Sequence, residues 1–333
     1  MQNSLFADDG AGLPPVVEAA APDPALVELA AALPSRLRFG TSSWNYPGWV
    51  GMVWKRDYPD AVLSSHGLPA YAQHPLFRTV GLDRSFYRPL SAAQYADYAA
   101  QVPEDFRFVV KAPGAVTDAW LRDSSGRGRQ PNPDFLAAGP ALRDFIEPVL
   151  TGLGAKAGAL VFQISPLPTD WLTRIPELIA RLHAMLAAIP DLRATAADAV
   201  VAVEVRDPQW LVPAFTQALR DTGATYCMGL HAKMPRIAEQ IPILRALWPG
   251  PLVCRWNLNP LHGAFGYEEA RRVYAHYDKL VDPDLDTRAM LARVIAGTVG
   301  AGQNAYVTLS NKAEGSSPLS VRALAETVHA LQR

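Results

Sequence analysis

Charged and polar side chains close several short apolar runs of this sequence. Glu204 and Arg206 stand near the end of VVAVEVRD, and Lys111 stands near the end of FRFVVKAP. A lysine among other cations in a partly dry site has a lowered pKa, so it can act as a base or as an amine nucleophile. A carboxylate such as Glu204 can transfer protons, and Arg206 can stabilise negative charge on a substrate. With Tyr87 at the end of TVGLDRSFY, these residue types predict acid–base or covalent catalysis.

Glu204, Arg206 and Lys111 also have a second interpretation, as a structural ion network. Removing charges from water costs several kcal/mol per ion unless they pair with one another. A network that only stabilises the fold would use the same residue types. The sequence leaves both interpretations open.

Candidate contacts to a substrate come from comparable positions near the ends of apolar runs. Ser317 and Pro318 have the residue types of a helix cap and a first helical position, where free backbone N–H groups and the positive end of a helix dipole favour phosphate. An ordinary capped helix explains the same two residues. The predicted substrate-binding residues are Ser42, Trp44, Gln163, Arg206, Asn257, Ser310, Asn311 and Ser317.

A metal site is not predicted from these residues. Divalent ions need several converging His or carboxylate ligands, whereas Glu204 stands alone and Asp207 would face the other way. His66, His231 and His262 fall in predicted loops, where we expect surface or capping roles. The sequence also has no nucleophile elbow, GxGxxG or Walker pattern, so no cofactor is predicted.

The elements that position these residues follow one alternation from Leu37 onward. Short β-rich runs alternate with longer helical patterns, which is typical of βα units around a parallel sheet. Eight such runs predict an α/β fold with a single (β/α)8 TIM-type barrel and an N-terminal arm. The runs span residues 37–44, 79–87, 106–113, 159–165, 200–207, 224–230, 252–258 and 305–311.

Alternation along each run assigns side chains to one face of the barrel. The helix-facing side of a barrel strand is apolar, so the valines at every second position of 200–207 turn Glu204 and Arg206 inward. Arg255 and Asn257 are assigned less securely, because both faces of LVCRWNL are apolar. Active sites of such barrels form at the C-terminal ends of the strands, so we expect the candidates to meet at one mouth.

The first predicted loop, residues 44–54, contains three tryptophans. Its position after the first strand predicts that it overhangs the barrel mouth. Trp49 and Trp54 are expected to pack against the protein. For Trp44, packing and stacking on a ligand both stay open.

A long polar loop is predicted over residues 117–132, after the third strand. Loops of this length without secondary structure are usually lids, binding loops or disordered segments. With Arg122, Arg127 and Arg129 it is either a substrate clamp or a solvated excursion.

Residues 1–36 are rich in Ala and Pro and are predicted to form a flexible arm outside the core, before a barrel domain of residues 37–333. The Asp23-Pro24 pair could start one short helix, as cap and first-turn proline. A terminus of this composition buries little surface. We therefore expect deletion of residues 1–20 to leave the melting temperature nearly unchanged.

Six segments in order resemble the DUF72 (YecE-like) family of bacterial and archaeal proteins. The resemblance runs from about Leu37 to the C-terminus and implies a TIM-type barrel whose biochemical activity is not established. The segments are GTSSWNYPGWVG, DRSFYRPL, DFRFVVKAPGAVT, GALVFQISPLP, VEVRDPQW and YVTLSNKAEGSSP.

Bulk composition limits the partners of the chain. A formal charge of −1 gives no overall attraction to nucleic acid or anionic membranes. No secretory signal or apolar stretch of transmembrane length is present, and two cysteines inside apolar runs fit a reducing cytoplasm. The oligomeric state is not predicted.

Three functions stay open at this point. The favoured one is an enzyme, most plausibly a hydrolase or lyase, acting on a small anionic, phosphate-bearing substrate. A nucleic-acid or repair-type module sharing the architecture of endonuclease IV barrels is the second. A non-catalytic barrel that binds a metabolite or protein partner is the third, since fold alone cannot choose among them.

Overall fold

The computed structural model describes residues 16–122, 128–263 and 265–332. Eight parallel strands form a closed barrel in the order β1-β8-β7-β6-β5-β4-β3-β2. The predicted (β/α)8 barrel is therefore confirmed. The strands are β1 Leu37–Thr41, β2 Phe77–Leu82, β3 Arg107–Lys111, β4 Ala157–Gln163, β5 Val200–Glu204, β6 Thr225–Leu230, β7 Leu252–Trp256 and β8 Ala305–Leu309.

Helices surround the barrel and follow nearly every strand. A π-helical turn, Leu142–Ile146, joins two of them. The α-helices are α1 Pro24–Ala32, α2 Asp60–His66, α3 Leu68–Tyr71, α4 Arg84–Tyr87, α5 Ala92–Ala99, α6 Gly114–Thr117, α7 Ala138–Ala141, α8 Glu147–Leu153, α9 Thr169–Leu172, α10 Ile175–Ala187, α11 Pro213–Asp221, α12 Ile237–Ala246, α13 Tyr267–Val273, α14 Leu285–Gly300 and α15 Ser317–Ala330.

Side chains alternate between two apolar layers. The outer layer packs under the helices, and a separate cluster fills the barrel axis, including Val109, Val161 and Cys227. On β7, Val253 belongs to the inner cluster, while Cys254 belongs to the outer layer. Arg255, two residues after Val253, therefore faces inward.

The N-terminal end of the barrel is filled by an ion network. Asp198 accepts from Arg38 at 2.8 Å and lies 3.0 Å from Arg107. The Tyr306 hydroxyl donates to the Asp198 carbonyl at 2.8 Å, across the barrel axis. These contacts pack the N-terminal end of the barrel. Barrels of this type hold their sites at the opposite end, where the C-terminal ends of the strands meet.

The second strand ends earlier than its sequence predicts. β2 stops at Leu82, and Asp83 precedes the helical turn α4. The predicted strand over 79–87 is therefore wrong after Leu82. The chain turns into α4 there instead of continuing as a strand with alternate side chains facing inward. Tyr87 lies on α4 and not on the inner face of a strand.

The long loop after β3 contains a short hairpin, Trp120–Arg122 paired with Gly128–Pro131. Arg122 pairs with Asp118 at 2.5 Å. Residues 123–127, which include Arg127, and the side chain of Arg129 lie outside the described part of the chain. The predicted long loop thus has secondary structure at both ends.

The described part of the N-terminal arm docks on the barrel. Val17 is buried in the main core, and the Ala20 amide donates to the Val53 carbonyl at 2.9 Å. α1 begins where the Asp23-Pro24 pair predicts a helix, and the Asp23 side chain caps it. The burial of Val17 differs from the expectation of an arm outside the core. Residues 1–15 lie outside the described residues.

Candidate functional site

A cavity of about 670 Å³ lies at the C-terminal ends of the barrel strands. Its size is in the range of small-molecule sites. It gathers most of the residues predicted from the sequence and several that the sequence analysis did not single out. From the predicted set, Ser42, Tyr87, Lys111, Gln163, Arg206, Asn257 and Ser310 line it. Further lining residues include Ser43, Tyr46, Asp83, Pro166, His231, Lys233, Arg255, Phe265, Tyr267 and Lys312.

Glu204 lies fully buried beneath this cavity, at the end of β5. Its Oε1 is 2.6 Å from Arg206 Nη2, and its Oε2 accepts from Arg255 Nη1 at 2.7 Å. Burial raises the pKa of this carboxyl, but the two guanidinium groups outweigh burial and hold the pKa below its usual value. A carboxylate that stays ionised between two arginines is a poor proton carrier. The geometry favours Glu204 as an anchor for both guanidinium groups over the predicted acid–base role.

Two amide side chains complete the support of the arginines. Gln163 Oε1 accepts from Arg206 Nη2 at 2.9 Å and from Arg255 Nη1 at 3.0 Å. Asn257 Nδ2 donates to the Arg255 carbonyl at 3.1 Å. Fixed guanidinium groups lose little entropy when an anion binds, so this arrangement is preorganised for negative charge.

Asp83 closes the other side of Arg255. Both Asp83 carboxylate oxygens accept from Arg255 Nη2, at 2.9 and 2.7 Å. The Asp83 side chain is 38% exposed and lines the cavity. Arg255 is therefore neutralised by Glu204 and Asp83, whereas Arg206 has Glu204 as its carboxylate partner within the described residues.

Lys111 lies at the end of β3 and points into the same cavity. Its Nζ is 3.7 Å from the centre of the Phe86 ring. Within residues 16–122, 128–263 and 265–332, Nζ has no hydrogen bond or ion pair. Burial lowers the pKa of Lys111 to about 8, with Asp83 partly opposing this shift. The direction agrees with the sequence-based expectation, although burial contributes more than the neighbouring cations.

His231 lines the cavity from the loop after β6. Its Nδ1 accepts from the Lys233 amide at 3.1 Å, which leaves Nε2 to carry the proton of the neutral ring. Burial, and then Arg206, lower the pKa of His231 to about 4. His231 accepts a backbone hydrogen bond, as a capping residue does. It also lines the cavity, where its neutral ring can donate a hydrogen bond from Nε2.

The cavity has an excess of positive charge. Across the described part of the chain, the five cations at the cavity outnumber the two carboxylates by three charges. The cations are Lys111, Arg206, Lys233, Arg255 and Lys312, and the carboxylates are Asp83 and Glu204. Excess positive charge with little solvent screening attracts small anions.

Trp44 and Tyr87 lie elsewhere than the sequence predicts. The Trp44 indole packs in the core, where Nε1 donates to the Leu63 carbonyl at 3.0 Å and the ring meets Tyr98 edge-on. Trp44 does not line the cavity, so its contacts favour packing, one of the two alternatives left open for it, over stacking on a ligand. Tyr87 lines the cavity, but its side chain is 85% exposed and stands on α4 rather than on the inner face of a strand.

Asn311 and Ser317 form a buried hydrogen-bonded support and not an open anion site. Asn311 Oδ1 accepts from the Ser317 amide at 2.8 Å and from Trp49 Nε1 at 3.2 Å. α15 begins at Ser317, and Ser316 occupies the cap position. The helix cap is thus Ser316 and not the predicted Ser317. The Ser317 backbone amide, which was expected to be free for phosphate, donates to Asn311 instead. Trp49 is fully buried, as expected of a packing residue.

The cations missed by sequence reasoning stand on loops just after strands. Lys312 follows the predicted Ser310 and Asn311 directly, and Lys233 lies three residues after the end of β6. Face alternation cannot place side chains once the strand has ended. The one sequence signal for Lys233 and Lys312 as site residues was that each follows the end of a predicted strand by a few positions.

Metal and membrane features are absent from the residues that the structure describes. In that part of the chain, no three His, Cys, Asp or Glu side chains are grouped in a way that could hold a metal ion. Among the same residues, no helix combines the length and apolarity needed to cross a membrane.

Comparison with known proteins identifies relatives by sequence and fold. The family described as "Protein of unknown function DUF72" matches residues 38–333. A DUF72 family protein from Enterococcus faecalis V583 is 17% identical, with a TM-score of 0.56 over 88% of this chain and 95% of that chain. One from Thermotoga maritima MSB8 is 19% identical, with a TM-score of 0.53 over 89% of this chain and 99% of that chain. At these identities the likeness shows the fold alone, and no curated protein matches the chain.

Proposed function

The chain belongs to the DUF72 family, and we propose that it is an enzyme that binds a small, phosphate-bearing anion in the barrel cavity and acts on it through Lys111. The observation that carries this proposal is the excess of cations around a cavity of about 670 Å³ at the barrel mouth. Arg206 is the principal anion ligand, because Arg255 is already held by two carboxylates.

The state of Lys111 supports a chemical role beyond binding. A pKa of about 8 makes its amine and ammonium forms both available near neutral pH. Groups with such values at a cavity are efficient in proton transfer, since both protonation states are populated. We therefore assign Lys111 as the reactive group, and the neutral His231 as a hydrogen-bond donor to the bound substrate.

The state of the cysteines bears on where the enzyme is located, and the size of the cavity bears on its substrate. Both cysteines, Cys227 and Cys254, are free and buried, which is compatible with a reducing cytoplasm. A cavity of about 670 Å³ suits a small substrate better than a nucleic-acid backbone, which needs an extended basic surface.

A thermal-shift experiment tests the anion site. Phosphate should raise the melting temperature of the wild type by a few degrees over chloride at equal ionic strength. At a hundredfold excess over Kd, the stabilisation is about 2.7 kcal/mol. Lys111→Met should reduce this gain, since it removes one cation from the cavity without breaking an ion pair among the described residues.

Lys55→Met is the matched control, because the Lys55 ammonium pairs with Glu18 on the surface, away from the cavity. It should keep the full phosphate effect. If phosphate and chloride act alike on the wild type, the cluster is structural and the proposal is overturned.

A further inference from the structure

The Lys111 side chain is presented to the cavity, and among the described residues its Nζ has a ring contact but no hydrogen bond or ion pair. Nζ rests on the Phe86 ring at 3.7 Å, and within the described residues no carboxylate or carbonyl holds it. The strand β3 fixes its base, and the Ser85 hydroxyl donates to the Lys111 carbonyl at 2.6 Å. A lysine needed only for structure would use its ammonium in an ion pair, as Arg255 uses its guanidinium group with Asp83 and Glu204.

We propose that Lys111 forms an imine with a carbonyl substrate that also carries a phosphate or similar anionic group. The inference rests on the proposed anion site, which would hold the charged end while the carbonyl carbon meets Nζ. It narrows the substrate class from phosphate-bearing compounds to phosphorylated aldehydes or ketones.

The chemistry balances without a further reactant. The unprotonated Nζ attacks the carbonyl carbon, forming the N–C bond while the π electrons move to oxygen, and one of the two nitrogen protons passes to that oxygen to give a carbinolamine. The hydroxyl takes up a second proton and leaves as water while the nitrogen lone pair forms the C=N bond. The nitrogen then releases its remaining proton, which replaces the one that the hydroxyl took up, so that the amine and the carbonyl compound give an imine and one water.

The free amine is populated enough for this step. A lysine with a pKa of about 8 is about one quarter unprotonated at pH 7.5. An ordinary lysine, with a pKa near 10.4, is unprotonated to roughly one part in a thousand at that pH. The gain in nucleophile is on the order of a hundredfold, and the cations beside it would polarise the carbonyl oxygen.

Lys312 is the natural competitor for this role. It also lines the cavity, and burial lowers its pKa as well. It stands on the loop after β8, with Nζ 6.0 Å from the Tyr267 ring centre and 5.9 Å from the Tyr277 ring centre. Lys312→Arg is a matched control that keeps the positive charge at this position and removes an alternative amine.

Reductive trapping tests the proposal. Wild-type protein is incubated with dihydroxyacetone phosphate and cyanoborohydride, and the modified peptide is mapped by mass spectrometry. We expect one adduct, on Lys111, that survives Lys312→Arg and is lost in Lys111→Arg. Unphosphorylated dihydroxyacetone at the same concentration should label Lys111 several times less, because it lacks the group that the arginine site holds.

The outcomes separate this inference from the proposed function. No adduct, or an adduct on Lys312 or spread over exposed lysines, overturns the imine. If trapping fails in this way while phosphate still stabilises the wild type more than chloride does, the anion site stands and only the imine is wrong. The labelled residue is read from the wild type, so the test does not depend on the folding of Lys111→Arg.

Discussion

Lys111 carries its charge in a partly buried position, which makes protein stability depend on pH. Its pKa is about 8 in the folded chain, against an ordinary value of 10.5. Below pH 8 both the folded and unfolded chains hold the proton, so the folded state bears the full cost of the buried charge. Between about 8 and 10.5 the folded chain has released the proton and the unfolded chain has not, so the free energy of unfolding rises with pH.

Urea denaturation of the wild type and Lys111→Met measures this effect. At about 1.4 kcal/mol per pKa unit, the wild type should gain about 2 to 3 kcal/mol relative to the variant between pH 7 and 10.5. Using the difference between the two proteins cancels the titration of other groups. A constant difference across this range would contradict the buried charge.

Glu204→Gln tests the anchor beneath the cavity. The substitution keeps the shape of the side chain but leaves Arg255 with Asp83 alone and Arg206 without a carboxylate partner among the described residues. We expect a loss of about 3 to 5 kcal/mol in the free energy of unfolding. Phosphate should recover part of it, because an anion in the cavity can replace the lost charge.

The control for Glu204→Gln is Glu268→Gln, since the Glu268 side chain is 86% exposed. It should change stability by less than about 0.5 kcal/mol. If Glu204→Gln were equally mild, the two arginines would not depend on this carboxylate, and the support described for the site would be wrong.

At the scale of elements, the barrel wall depends on a close approach between β1 and β2. A Cβ at Gly40 would lie 1.9 Å from the Thr79 carbonyl oxygen of the neighbouring strand. Gly40→Ala must push the strands apart, and we expect a loss of several kcal/mol by denaturant unfolding. Gly297→Ala is the matched control, because apart from the backbone of its own helix and its chain neighbours nothing described lies within 4 Å of the added carbon on α14. Alanine should stabilise that helix by up to about 1 kcal/mol.

At the scale of elements, the sequence predicts the direction of side chains that follow the two-residue repeat of a strand. It does not predict the position of side chains that lie beyond the end of the strand. Alternating valines on β5 predict the inward direction of Glu204, because strand periodicity is local. The same rule fails for Tyr87, since the strand ends at Leu82 and the chain continues as the helical turn α4. The pairing of Asp83 with Arg255 spans 172 residues of sequence, and only closure of the barrel brings them together.

At the scale of the whole molecule, the N-terminal arm is part of the folded unit. The Lys55 amide donates to the Glu18 carbonyl at 3.0 Å, and the Glu18 amide donates to the Tyr58 hydroxyl at 2.9 Å. Ala19 forms an isolated bridge with Trp54 in the first βα loop. Composition alone suggested a free arm, because Ala and Pro give no sign of a docking strand in a single sequence.

Deletion of residues 1–20 should therefore lower the melting temperature, in contrast to the expectation from composition. The deletion removes Val17 from the core, where it is 7% exposed, together with the backbone hydrogen bonds to the first loop. Differential scanning calorimetry should show a fall of several degrees, and Val17→Ala alone should cost about 1 to 2 kcal/mol. Val16→Ala is the control, since its side chain is 74% exposed and should change little. An unchanged melting temperature in the deletion would mean that the arm detaches in solution and that the barrel closes without it.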